Sequence, residues 1–142
     1  MIAPDLEDPD RAIRAWEGAL ALDPEDLKAR KSLERLYVDN QRWDDLEALY
    51  ASQGAWSDLV RVFETMAGSN LEDPVKAELL ERAARLWRDR LEDLGRAERA
   101  LDRIHTQIDG MHEGAAHIKA TIYRATEDWE GLDGAYQILL AH

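Results

Sequence analysis

The side chains best suited to chemistry in this sequence are His105, His112 and His117, with Asp109 and Glu113 interleaved. A metal-binding helix needs two imidazoles four residues apart, so that both face one ion. His112 and His117 are five apart, about 140° round a helix that turns roughly 100° per residue. His105 and Asp109 have suitable spacing, but a lone pair is too few ligands for a metal site. Gly110 and Gly114 flank a helix start, and nothing follows the pattern of a phosphate-binding loop. Ser32, Ser52, Ser57 and Ser69 lack the strand–turn–helix setting of an activated nucleophile. Acid pairs such as Asp44/Asp45 and Glu92/Asp93 read as solvated helix surface. No enzymatic activity, metal or cofactor is expected.

A second set of residues has the spacing for recognition. Lys28, Lys31 and Arg35 stand at i, i+3 and i+7, which puts them on one helix face. Aligning the helices on Tyr37, Trp87 and Tyr123 carries positions 35 and 38 onto Arg85 and Arg88, and onto Thr121 and Arg124. It carries positions 28 and 31 onto Glu78 and Glu81, and onto Gly114 and His117. Two readings stand for these cations. Either Lys28, Lys31, Arg35, Arg85, Arg88 and Arg124 line a ligand groove, or they pair with acids such as Glu34, Glu78 and Glu81 on a solvated face. Trp43, Trp56 and Trp129 each stand three residues before a leucine; with Trp16 and Trp87, all five are expected to be packing residues, because they bury the largest apolar area.

The elements that must position these groups are helices. The chain has 142 residues, enough for one domain with a real core. Its 45% hydrophobic content argues against disorder, while 34% charged residues make a well-solvated surface. A net charge of −12 disfavours general affinity for nucleic acid or anionic membrane. The absence of cysteine removes disulfides and thiolate metal sites. MIAPDLEDPD is acidic, with no apolar signal segment, and no stretch approaches the length of a membrane span. A cytoplasmic location is expected.

Asp8-Pro9, Asp23-Pro24 and Asp73-Pro74 each read as a helix start, since Asp accepts from orphan N–H groups and Pro suits the first turn. Apolar spacing predicts helices near 9–22, 24–40, 43–52, 56–67, 74–92, 96–108, 113–126 and 129–141. Strand alternation appears nowhere. One helix type pairs a small or apolar residue with a bulky one four later: Ala12/Trp16, Leu46/Tyr50, Leu59/Phe63, Ala97/Leu101 and Leu132/Tyr136. A second ends in an apolar–aromatic doublet: Leu36-Tyr37, Leu86-Trp87 and Ile122-Tyr123. Nine, ten and nine residues lead from the aromatic to Leu46, Ala97 and Leu132. Ala12 to Leu46 is 34 residues and Ala97 to Leu132 is 35. Two helix types alternating with this period predict an α-solenoid.

Ala12-Ile-Arg-Ala-Trp16-Glu-Gly-Ala19-Leu-Ala-Leu-Asp23-Pro24 resembles the second helix of a tetratricopeptide repeat, closing proline included. Leu33, Leu36 and Tyr37 are similar to the first helix of the next repeat. The resemblance covers most of the chain outside 51–72, and the repeats are degenerate. Glu34 stands where the family has a small residue, while Ala84 and Ala120 fit. The resemblance implies stacked antiparallel helix pairs and peptide or protein binding on the concave face, where the first-helix stripe would lie. The family's clamp for C-terminal carboxylates is absent, because Arg35, not Asn, follows Lys31 by four residues.

Trp43–Tyr50 and Trp56–Phe63 repeat one helix type thirteen residues apart, too close for a two-helix hairpin. An irregular extra helix is therefore expected near 56–67, with a local break in the superhelix. The helix at 9–22 lacks a first-type partner, which residues 1–8 are too short to supply. A single domain over 1–142, excised from a longer array or covered at its ends by another copy, is the expectation. The expected function is a non-enzymatic scaffold binding a protein or peptide segment, acidic if the basic stripe lines the groove. The alternative is self-assembly through uncapped solenoid ends.

Overall fold

The computed structural model describes residues 8–142, so the reading of the segment 1–7 falls outside it. Among the described residues there are eight α-helices and no strand. These are α1 (Pro9–Leu22), α2 (Leu27–Asp39), α3 (Trp43–Ala51), α4 (Trp56–Ala67), α5 (Asp73–Asp89), α6 (Leu94–Gln107), α7 (Glu113–Ala125) and α8 (Trp129–Leu140). The chain divides into two compact units, one ending at Ala55 and the other beginning at Trp56. That division falls between α3 and α4, the two helices whose sequences echo each other. In the first unit α2 packs against both α1 and α3. In the second, successive helices from α4 to α8 pack in chain order, and α5 also meets α7.

Local chemistry sets the helix ends. Asp8 caps α1 by accepting the Arg11 N–H at 3.2 Å. The second Asp-Pro pair does not start a helix. Asp23 instead accepts from the Glu25 N–H at 3.1 Å, and α2 begins at Leu27 under an Asp26 cap. Asp26 wins because its carboxylate reaches the Ala29 N–H while Asp23 closes the α1 terminus. The helix expected over 74–92 ends at Asp89, because Glu92 takes a left-handed φ of 52°.

A similar turn occurs three times, one residue longer after α5 than after α2 and α7. After α2, α5 and α7 a single non-glycine residue adopts positive φ: Gln41 at 53°, Glu92 at 52° and Glu127 at 57°. The next residue's N–H then returns to the carbonyl of the doublet's aromatic. Arg42 bonds Tyr37 at 2.7 Å, Asp93 bonds Trp87 at 2.7 Å and Asp128 bonds Tyr123 at 2.8 Å. Asp93 and Asp128 then cap α6 and α8 with their side chains. A non-glycine residue in the left-handed region carries a conformational cost, here offset by a terminal carbonyl being satisfied and the next helix capped.

The core follows the periodic apolar positions. In the first unit Ile13, Leu33 and Leu46 are fully buried. In the second, Leu59, Phe63, Leu79, Leu80, Leu101, Ile104 and Ile122 are. Tyr37 is buried, whereas Trp87 and Tyr123 are only half-buried. Among the second-type helices Trp43 is buried and Trp56 half-buried, but Trp129 is 60% exposed. Trp129 is therefore no core residue, contrary to expectation. It opens α8, whose Leu132 and Ala135 face α7 and leave the first residue on the other side.

Candidate functional site

The six cations singled out by spacing divide between the two units. Lys28, Lys31 and Arg35 lie exposed on α2, in the first. Arg35 Nε sits 3.9 Å from Asp39 Oδ2, with both side chains largely in solvent. Among the described residues Lys28 and Lys31 have no carboxylate within 4.0 Å. In the second unit Arg85 Nη2 lies 3.9 Å from Glu81 Oε1 on its own helix. Arg88 donates to both Asp89 carboxylate oxygens, at 2.7 and 3.0 Å, and to Thr121 Oγ1 at 2.8 Å. The hydrogen bond it accepts from Arg88 holds the Asp89 carboxyl below its ordinary range. Arg124 donates to the Tyr136 hydroxyl. The Arg88–Thr121 bond thus joins α5 to α7 along the aligned positions, and the stripe in this unit is continuous across those two helices.

A second basic surface in the same unit escaped the sequence reading. Arg96, Arg99 and Arg103 stand at i, i+3 and i+7 on α6, the spacing that drew attention to Lys28, Lys31 and Arg35. An open cleft of about 450 Å³ is lined by Ser57, Arg61, Glu64 and Thr65 of α4, Trp87 of α5 and Arg96 of α6. The α4 residues recur at one-turn and two-turn spacing, so one helix face forms that wall. Arg103 Nη1 reaches the Glu64 carbonyl at 3.5 Å, placing a cation at the negative end of α4.

Trp87 forms the aromatic part of this cleft. The Arg96 guanidinium lies 5.0 Å from its ring centroid, and Arg90 lies 4.7 Å from that of Trp56. Such contacts contribute about 0.5–1 kcal/mol where exposed, enough to orient a guanidinium without neutralising it. The indole Nε1 of Trp87 is buried and has no hydrogen-bond partner among the described residues. The acids near the cleft hold its arginines loosely. Arg61 Nη1 is 3.6 Å from Asp58 Oδ1 and Arg96 Nε is 3.5 Å from Asp93 Oδ2, all four side chains being substantially exposed. Exposed pairs of this kind are worth about 0–1 kcal/mol, so an incoming carboxylate can displace them.

The histidines have structural work instead. His112 Nδ1 accepts the Ala115 N–H and caps α7. His117 pairs with Glu113 at 3.6 Å. His105 Nδ1 lies 2.9 Å from Lys119 Nζ, and its Nε2 lies 3.0 Å from the His112 carbonyl. An ammonium can only donate and a carbonyl only accept. The neutral Nε2–H tautomer therefore satisfies both. Burial, aided by the Lys119 charge, pushes the His105 pKa down. Lys119 also reaches Asp102 Oδ1 at 2.7 Å, so the network ties α6 to α7. Among the described residues no three His, Asp or Glu side chains come together to hold a metal ion. No helix among them is long and apolar enough to cross a membrane.

No protein-family model, curated protein or solved structure matches the chain.

Proposed function

We propose that the chain is a non-enzymatic scaffold of tetratricopeptide-like helix pairs that binds an acidic segment of a protein partner. The thrice-repeated turn after Tyr37, Trp87 and Tyr123 supports the repeat reading. So does the contact of α5 with α7 past the intervening α6, as expected where first-type helices of successive repeats stack. In this reading α2/α3, α5/α6 and α7/α8 are antiparallel pairs. α1 and α4 are second-type helices without first-type partners.

The observation that carries the binding reading is the cleft of α4, α5 and α6. Arg61 and Arg96 share the lining with the Trp87 ring, over which Arg96 lies, Ser57 and Thr65 add hydroxyls beside Glu64, and the ion pairs of the two guanidinium groups are weak and exposed. Arg grips a carboxylate through two parallel N–H donors, and an apolar or aromatic residue of the same segment would rest on Trp87. The Arg85, Arg88 and Arg124 stripe across α5 and α7 is a second docking face, favoured by its continuity through Thr121. Anisotropy of fluorescein-labelled Glu-rich and Lys-rich peptides tests the proposal. Binding of the Glu-rich peptide, lost by at least about tenfold in Arg61→Glu/Arg96→Glu (about 1.4 kcal/mol), is expected. Equal binding of both peptides, or no effect of the double variant, would overturn the cleft assignment.

A further inference from the structure

The last helix carries a partly uncovered apolar face, on which Tyr136 is engaged by Arg124 while Trp129 and Leu140 are largely open. Trp129, Tyr136 and Leu140 are 60%, 38% and 81% exposed. With Asp133 they stand at i, i+4, i+7 and i+11 of α8, one stripe about a quarter turn round the helix from Leu132 and Ala135. The first helix carries its counterpart. Arg11, Ala15, Gly18 and Leu22 of α1 have the same spacing and are all exposed, Leu22 at 90%. This stripe is smooth where the other is bulky: a Cβ built on Gly18 would meet nothing within 4 Å.

Their charges are opposite as well. α8 bears Glu130 and Asp133 on its exposed surface and has no Lys or Arg. The outer face of α1 bears Arg11 and Arg14. Among the described residues none of these four side chains has an ion-pair partner within 4.0 Å.

We propose that α8 of one copy docks on α1 of a second copy, a head-to-tail contact independent of the acidic-peptide reading. Laid parallel, the two stripes coincide over their whole length. Trp129 meets the Arg11 guanidinium, a favourable cation–π arrangement. Tyr136 lies over Gly18, and Leu140 meets Leu22. Glu130 and Asp133 then fall at the end of α1 that carries Arg11 and Arg14. An α8-on-α8 pairing would set acids against acids instead. One helix face on another buries less than the roughly 1,000 Å² of a stable interface, so the association is weak and concentration-dependent.

Sedimentation velocity over a series reaching about 1 mM tests this, with helicity confirming that each variant is folded. Trp129→Ala/Leu140→Asp removes the α8 face, and Gly18→Glu blocks the α1 face without an internal clash. The parent should self-associate and each variant alone should be monomeric. An equimolar mixture of the two should form a one-to-one heterodimer, because each supplies the face the other lacks. A parent that stays monomeric throughout the series would overturn the proposal. So would association that survives either variant, or a mixture that shows no heterodimer.

Discussion

Tyr123 donates its phenol hydrogen to Glu98 Oε1 at 2.8 Å, tying α7 to α6 from the end of its helix. Tyr37, at the matching place in α2, does the same to Glu17 Oε2 of α1 at 2.7 Å. Burial first, then the carboxylate that accepts the bond, raises both phenol pKa values above the ordinary range. A raised folded-state value means stability that is complete below the unfolded pKa of about 10 and lost as pH rises beyond it. In the folded protein the tyrosinate absorbance gained near pH 10 should be the same for the parent and for Tyr37→Phe/Tyr123→Phe. A smaller gain in the variant would show that the two phenols ionise normally.

Two glycines make opposite predictions. Gly18 and Gly131 both sit in helices, where Ala is ordinarily favoured by about 0.5–1 kcal/mol. Gly18 faces open space, so Gly18→Ala should stabilise the fold by about that amount and raise the denaturation midpoint. A Cβ on Gly131 would meet the Tyr123 ring and the Asp128 carboxylate at 2.9 Å. That contact is too close to absorb, so Gly131→Ala should destabilise, because α7 and α8 must move apart. Chemical denaturation of the two variants checks both signs.

His105 gives the acid side of the pH profile. Its folded pKa is depressed by burial and by Lys119, so below the unfolded value of about 6.5 the unfolded chain binds more protons. The contribution is complete above that pH and declines as pH falls through it. Protonated, His105 would turn an N–H toward the Lys119 ammonium that its Nδ1 now faces. His105→Gln keeps an acceptor without the titration. Thermal melts of the parent and the variant should diverge between pH 7 and about 5, with the parent losing more. Parallel melting curves would contradict the assignment.

The helical plan was legible because apolar periodicity and burial have one cause. Leu46, Leu59, Ala97 and Leu132, picked as key residues of second-type helices, are all buried. The near-constant spacing from each doublet to the next helix has a structural counterpart, since the carbonyls of Tyr37, Trp87 and Tyr123 each accept a bond from the residue that precedes that helix. Helix ends were less legible. Asp23-Pro24 and Asp26 are both credible caps by composition, and which carboxylate reaches an orphan N–H depends on where α1 stops.

The cleft was the least legible feature. Arg96, Arg99 and Arg103 have the same spacing as Lys28, Lys31 and Arg35, and a search for that pattern along every helix finds them. The position of Trp87 in the sequence points to packing, and periodicity alone does not show that part of such a ring stays open. Only the approach of α4 and α6 to α5 turns Arg61, Trp87 and Arg96 into one surface. Trp129 marks the same limit from the other side. Its place in the repeat matches that of Trp43, but its outer face has no following helix among the described residues to cover it.

The salt dependence of acidic-peptide binding tests the central claim most directly. The protein carries a net charge of −12, so a peptide that merely approaches it is repelled, and added salt, by screening that repulsion, strengthens any residual contact. A peptide seated between Arg61 and Arg96 feels the opposite local field over distances shorter than the screening length of about 8 Å at physiological ionic strength. The parent should therefore bind a Glu-rich peptide more weakly as salt rises, with Arg35→Glu/Lys31→Glu leaving that slope unchanged. In Arg61→Glu/Arg96→Glu the slope should vanish or change sign. A parent whose affinity is flat or rises with salt, or a double variant with the parent's slope, would contradict the account.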